Sequence, residues 1–156
     1  MDRFVSSFTN RIDGKGRLSV PAPFRAILAR AGYEELYVYP ALDQPCLDCG
    51  GQSLIEEIYR LVDALPAYSD ERDQLSLTLF GDCVALKIDG DGRILLPPAL
   101  IAHAGLADEV AVVGTGHKFQ MWAPATLQAH LAEARNKARE LKKLLGSPRT
   151  SKESAE

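Results

Sequence analysis

The sequence predicts an α+β fold in which two copies of one short unit interleave their strands into a compact barrel, with helices added around it. Three observations predict this. Asp-Gly-x-Gly-Arg occurs twice, at residues 13–17 and 89–93, each time after an isoleucine and ahead of a short apolar run and a proline. Both prolines open helix-like segments that stop at a glycine, FRAILARA before Gly32 and ALIAHA before Gly105. Outside the two copies the chain carries helical periodicity, in SLIEEIYRLVDAL and in TLQAHLAEARNKARELKKLLG.

The duplication is the strongest signal. Ile12, Asp13, Gly14, Gly16, Arg17, Leu18 and Pro21 match Ile88, Asp89, Gly90, Gly92, Arg93, Ile94 and Pro97 at an offset of 76. After the helices the offset falls to 73, which lays Ala31 and Gly32 over Ala104 and Gly105. Three residues are close to one helical turn, so the first helix is expected to be a turn longer than its counterpart. The offset of 73 then carries YEELYVYPAL over LADEVAVVGT.

Each element has a local reason. VSSFTNRI and FGDCVALKI read as short strands ending at Ile12 and Ile88. Asp-Gly starts a tight turn, because glycine accepts positive φ and aspartate bonds back to the backbone. LSV and ILL return as strands until Pro21 and Pro97, which lack a ladder donor and suit a helix start. Gly32 and Gly105 stop the helices. ELYVY, EVAVV and HKFQMW are strands, and Pro124 opens the last helix. Ser53 with Glu56 reads as a capping box for an amphipathic helix over 53–65. The resulting organisation is a first copy at 4–50, a helical connector at 51–78, a second copy at 79–123, a long C-terminal helix at 124–146 and a disordered tail at 147–156.

Composition bounds the function. The chain has 156 residues, 46% hydrophobic and 25% charged, as expected for one soluble domain or two very small ones. No apolar run reaches membrane-spanning length, and MDRFVSSFTNR is too polar for a signal peptide, which points to the cytoplasm. The net charge of −3 is unevenly spread. Residues 1–30 hold six basic and two acidic side chains, whereas residues 34–109 hold four basic and fifteen acidic ones. A small basic face on an acidic body can bind phosphate, above all when several copies act together.

The GKGR turn of the first copy is the best functional candidate. Lys15 and Arg17 flank a glycine on a projecting turn, and a two-stranded ribbon fits the DNA major groove, where arginine bonds guanine bidentately. Arg11 and Arg25 are placed to neutralise phosphates. A solvated hairpin with ordinary surface charge is the competing reading. The second copy has Asp91 where the first has Lys15, and Arg93 lies among Asp89 and Asp91. Intramolecular pairing therefore assigns Arg93 to structure or to a subunit contact.

Cys46 and Cys49 have the Cys-x2-Cys spacing of a zinc site, but two more ligands are needed, and Cys83 and His103 stand at unconvincing spacing. At the offset of 73 the two cysteines lie over Phe119 and Trp122, which favours core packing. Histidines 103, 117 and 130 are dispersed, and no hydrolase, zincin or dinucleotide motif is present, so neither an enzyme activity nor a cofactor is expected.

The residues Asp13, Lys15, Gly16, Arg17, Pro21, Phe24 and Arg25 resemble the motif of the MraZ family, whose members carry two copies of the AbrB-like (SpoVT-AbrB) domain. Asp89, Gly92, Arg93 and Pro97, followed by HAGL, EVAVVG and KFQMW, match the second-domain version, and the resemblance spans residues 4 to about 132. It implies a tandem swapped-hairpin β-barrel. It further implies a ring of several subunits and a transcriptional regulator of the division and cell-wall gene cluster, bound to repeated promoter boxes in the cytoplasm and nucleoid. DNA contact then falls to Lys15 and Arg17, with Arg11 and Arg25 as weaker candidates. QPCLDCGG and Asp91 depart from the pattern. The alternative function is a structural or interaction module, built on the acidic middle and the long helix, that self-associates without specific DNA affinity.

Overall fold

The order of elements follows the duplication. The computed structural model describes residues 3–146. The first copy contributes β1 (Ser7–Arg11), β2 (Arg17–Ser19), α1 (Ala22–Arg30), β3 (Glu35–Pro40) and β4 (Leu47–Gly50). Two helices follow, α2 (Gln52–Asp63) and α3 (Asp70–Leu79). The second copy repeats the series as β5 (Val84–Lys87), β6 (Arg93–Leu95), α4 (Pro98–Ala104), β7 (Glu109–Gly114) and β8 (Phe119–Trp122). The helix α5 (Pro124–Leu141) and a 3-10 turn, Lys142–Gly146, end the described chain. The described residues form two compact units, divided between Pro124 and Ala125. All sheets belong to the first. The expected tail at 147–156 lies outside the described residues.

The fold is a mixed α+β arrangement of antiparallel sheets and helices. One sheet has six strands in the order β1-β7-β8-β4-β3-β5, and a second pairs β2 with β6. Neither copy closes its own sheet. β1 of the first copy pairs with β7 of the second, and β5 of the second pairs with β3 of the first. β4 and β8 meet in the middle. The six-stranded order therefore reads the same from either edge once the copies are exchanged.

Helix ends follow the glycines. Gly32 and Gly105 adopt φ of 82° and 62°, and Tyr33 and Leu106 donate back to Leu28 and Ile101. Both are Schellman closures, in which a left-handed residue lets the chain satisfy the last carbonyls. The capping box at Ser53 and Glu56 does not form. α2 starts at Gln52 with Gly51 as its cap and no side-chain cap bond. The backbone N–H of Ser53 donates instead to the Tyr33 hydroxyl at 2.9 Å. Gly51 lies against the Tyr33 ring, which leaves no room for a Cβ.

QPCLDCGG, which departs from the family pattern, contains strand β4. It corresponds to β8 and lies at the centre of the sheet. The ladders also refine the repeat. Phe8 pairs with Val112 and Val84 with Val38, so strands β3 and β7 correspond at an offset of 74. Tyr37 pairs with Gly50 and Ala111 with Trp122, so β4 and β8 correspond at 72. The loop between β3 and β4 is two residues longer than the loop between β7 and β8, which accounts for the change. Leu47 and Cys49 are thus the counterparts of Phe119 and Met121, in place of the pairing of Cys46 and Cys49 with Phe119 and Trp122.

The main core lies between the sheets and α1 and α4. Phe24 is its hub, with ring centroids 5.2 Å from Phe4, 5.4 Å from Phe8 and 4.9 Å from Phe119. Leu18, Val20, Ile94 and Leu96 fill it from the β2 and β6 side. A second apolar cluster holds α2 against the sheet through Tyr39, Leu54, Ile55, Ile58 and Val62. Cys46 and Cys49 are both fully buried, in keeping with the packing reading. Burial pushes the Cys46 thiol up to about 12, with the Asp48 carboxylate adding to the effect, and raises Cys49 and Cys83 too. Asp48 is itself buried, and its charge is compensated by Lys118 at 3.0 Å and by a bond from Gln120 at 2.8 Å. Among the described residues no three metal-ligating side chains cluster.

Candidate nucleic-acid interface

The two turns are built alike from one aspartate each. Asp13 Oδ1 accepts the backbone N–H groups of Lys15 and Arg17, both at 2.9 Å. Asp89 Oδ1 does the same for Asp91 and Arg93, again at 2.9 Å. Asp13 also donates its charge to the arrangement: its Oδ2 accepts from Arg17 Nε at 2.8 Å. These bonds stabilise the ionised form, and the bonds from Arg17, backbone first and then side chain, bring the Asp13 carboxyl down to about 2. The Asp89 carboxyl is lowered chiefly by the Arg93 backbone N–H.

Gly16 and Gly92 turn the chain with φ of 91° and 78°, a region that residues with a Cβ enter at a cost. Each glycine is also covered by the helix of the opposite copy. A Cβ on Gly16 would stand 2.7 Å from the Leu96 carbonyl oxygen and 3.2 Å from Ile101 Cδ1. A Cβ on Gly92 would stand 2.5 Å from the Arg25 guanidinium carbon. Arg25 and Ile101 are equivalent at the offset of 76.

Between the turns runs the ribbon of β2 and β6. Arg17 pairs with Leu95, Leu18 with Ile94 and Ser19 with Arg93. The ladder continues at both ends, from Val20 to the Gly92 carbonyl and from Leu96 to the Gly16 carbonyl, each at 2.9 Å. Leu18 and Ile94 face the core, so alternation sends Arg17, Ser19, Arg93 and Leu95 to the outer face. Arg17 and Arg93 therefore stand on one face, two ladder positions apart, or ~7 Å along the strands.

The sequence candidates are thus divided in space. Arg11, Arg17 and Arg93 line one open groove of about 280 Å³, floored by Ile12 and Leu18 and edged by Asp13 and Ser19. Lys15 is exposed at the tip of the first turn. Arg25 is half-buried at the opposite end of the ribbon, where its Nε donates to the Val20 carbonyl at 2.9 Å and its guanidinium rests on Gly92. Arg93, assigned from sequence to structure or a subunit contact, does pair with Asp91 at 3.3 Å and Asp89 at 3.5 Å. Its place beside Arg17 depends on ladder register alone, and a repeat read as two ends of one ribbon would have found it.

Charge follows the same division. The first turn carries Asp13, Lys15 and Arg17, a net +1, and the second carries Asp89, Asp91 and Arg93, a net −1. Arg25 from the first copy lies against Gly92 of the second turn. Arg17 uses only Nε on Asp13, one of the five donors of a guanidinium, and 43% of its side chain is exposed. The arrangement holds a planar polydentate donor in a fixed pose at a surface, the requirement for bidentate recognition of a phosphate or a base edge.

These features define a class: a two-copy α+β protein whose copies exchange strands to present a basic ribbon between two aspartate-locked turns. Residues 79–144 match the family model described as "MraZ protein, putative antitoxin-like". The chain is 49% identical to a "Transcriptional regulator MraZ" of Xanthobacter autotrophicus, over 97% of this chain and 99% of that protein. It is 52% identical to one of Beijerinckia indica, over 94% and 90%, and 40% identical to one of Rickettsia bellii, over 90% and 94%. The chain belongs to the MraZ family.

Proposed function

We propose that this chain is a transcriptional regulator that binds duplex DNA at repeated boxes in the promoter of the division and cell-wall gene cluster, and that it does so as a ring of several copies. In this reading the paired strands of the two copies are a swapped-hairpin barrel of AbrB-like type, and the protein works in the cytoplasm and nucleoid without catalysing a reaction. Lys15 and Arg17 are the base-edge and phosphate contacts, Arg11 adds a phosphate contact, and Arg25 acts mainly by supporting the second turn.

The observation that carries the reading is the aspartate-locked first turn, which offers Lys15 and Arg17 beside Arg11 on an exposed ribbon. Names of relatives covering nearly the whole chain support the regulatory role. A single turn with one net positive charge binds weakly, so several turns acting together are needed for useful affinity. The test is a gel-shift titration against the protein's own upstream region, with Lys15→Ala and Arg17→Ala alongside. Both variants lose affinity while keeping the wild-type circular dichroism spectrum. A variant that binds as well as wild type removes that residue from the interface.

A further inference from the structure

Leu95 is the one apolar residue on the outer face of the β2 and β6 ribbon. It shares that face with Arg17, Ser19 and Arg93, and it is 55% exposed. A single exposed leucine needs no explanation by itself. Its neighbours set this one apart.

Arg17 sits in a row between Asp13 and Leu95. On one side Asp13 donates its backbone N–H to the Arg17 carbonyl at 3.0 Å, and its carboxylate accepts from Arg17 Nε at 2.8 Å. On the other side Leu95 is the direct ladder partner of Arg17. Residues so opposed on one face of an antiparallel pair have Cβ atoms about 4.5–5.5 Å apart. The second copy repeats the row as Asp89, Arg93 and Ser19. There two carboxylates, Asp89 and Asp91, share the guanidinium, and its cross-strand neighbour is a serine. The two rows are unequal in both respects. The guanidinium with fewer partners is the one set beside an apolar side chain.

A guanidinium and an aliphatic side chain fixed side by side match a two-part feature of the DNA major groove. Arginine donates to guanine O6 and N7, and the C5 methyl of thymine is the apolar group that the groove presents. Successive bases lie ~3.4 Å apart along a strand. A leucine reaching beyond its Cβ spans that step from its neighbour. A phosphate offers nothing for an aliphatic group to recognise, so Leu95 matters where the ribbon face meets base edges.

We infer that Leu95 is a specificity-determining residue, packing on the C5 methyl of a thymine next to the guanine that Arg17 reads. The second copy thus supplies a contact beside the reading turn of the first, and the pairing of β2 with β6 brings the two together. This rests on the DNA contact of Arg17 in the proposed function and adds a base preference to it.

The test replaces each thymine of the upstream duplex by deoxyuridine, one position at a time. The change removes the methyl and leaves the hydrogen-bonding edge as it was. A guanine analogue lacking N7 locates the base read by Arg17, as the position where it weakens wild type but not Arg17→Ala. Fluorescence anisotropy gives the affinities of wild type, Leu95→Ser, Leu95→Val and Arg17→Ala. Serine is the residue that the first copy carries at the equivalent position, and Leu95→Gln replaces that variant if circular dichroism shows the fold disturbed. Wild type is expected to lose about fourfold at one thymine beside that guanine, the scale of burying one small apolar group. Leu95→Ser shows the same loss on the unmodified duplex and is indifferent to deoxyuridine at that position, while Leu95→Val stays sensitive. A wild type indifferent to every deoxyuridine overturns the methyl contact and leaves the Arg17 reading standing. So does a Leu95→Ser variant that keeps the sensitivity, or one that weakens equally on unrelated sequences. Equal affinity of wild type and Arg17→Ala for the unmodified duplex overturns the proposed reading and the Leu95 contact with it.

Discussion

Asp13 holds Arg17 at two points, the backbone N–H at 2.9 Å and Nε at 2.8 Å. The carboxylate that forms the turn is thus also the one that aims the guanidinium. Asp13→Asn keeps an acceptor for the backbone but loses the charge that orients Nε. The expected result is weaker DNA binding with an unchanged melting temperature to within about 2 °C. Asp13→Ala removes both roles and broadens the amide resonances of Lys15 and Arg17. Nuclear magnetic resonance of the turn amides beside a binding titration separates the two effects.

The same bonds set a pH dependence. The Asp13 carboxyl is lowered from 3.8 to about 2, first by the Arg17 backbone bond and then by its side-chain bond. A lowered carboxyl contributes order that is full above 3.8 and is lost as pH falls through the folded value. The turn is therefore expected to stay locked down to about pH 3 and to open toward pH 2. A carboxyl titration followed at Asp13 gives the midpoint, and a midpoint at 3.8 or higher contradicts the lock.

Gly16 and Gly92 separate by what covers them. An alanine at Gly16 meets a backbone carbonyl, Leu96 O, at 2.7 Å, whereas one at Gly92 meets the movable Arg25 side chain at 2.5 Å. Both enter strained φ, at about 1–3 kcal/mol. Gly16→Ala adds a clash that the ladder cannot relieve, so its melting temperature falls further than that of Gly92→Ala. Gly92→Ala displaces Arg25 instead, and its smaller loss is expected to match that of Arg25→Ala in the same assay.

The thiols test the core. Only the thiolate reacts, and burial holds Cys46, pushed up to about 12, and Cys49 in the protonated form. A thiol reagent at neutral pH is expected to reach half-buried Cys83 first and Cys46 and Cys49 only after unfolding. Phe24→Ala, which empties the aromatic hub, costs about 3–5 kcal/mol and brings all three thiols into reach together.

What could be read from the sequence divides by range. Asp-Gly-x-Gly fixes each turn through bonds spanning two to four residues, so Asp13, Asp89 and both glycines were legible. So were the helix stops at Gly32 and Gly105, which are equally local. β4 was hidden because Leu47, Asp48, Cys49 and Gly50 are all buried, leaving no polar alternation to mark a strand. The exchange of β1 and β5 between copies leaves no local trace, since either copy reads the same whichever partner it pairs with. In sequence Arg93 stands among Asp89 and Asp91. Its neighbour in space is Arg17, 76 residues away. Arg25 carries a basic charge that suggests phosphate, and the structure adds that it lies over Gly92 as its counterpart Ile101 lies over Gly16.

The groove shared by Arg11, Arg17 and Arg93 makes a graded prediction. Arg93→Ala weakens DNA binding less than Arg17→Ala, because two carboxylates already share its charge. Fluorescence anisotropy with a promoter duplex ranks the two variants directly. An Arg93→Ala loss equal to that of Arg17→Ala would make the two turns equivalent readers.

In the proposed function the first turn binds DNA through Lys15 and Arg17. The most direct measurement is the equilibrium affinity of wild type and Arg17→Ala for the upstream duplex across a salt series. Arg17→Ala is expected to lose about tenfold or more in affinity, in line with ~1–3 kcal/mol for one bidentate contact, and Lys15→Ala to show a shallower salt slope. Equal affinity of Arg17→Ala and wild type, or binding that ignores salt, would contradict it.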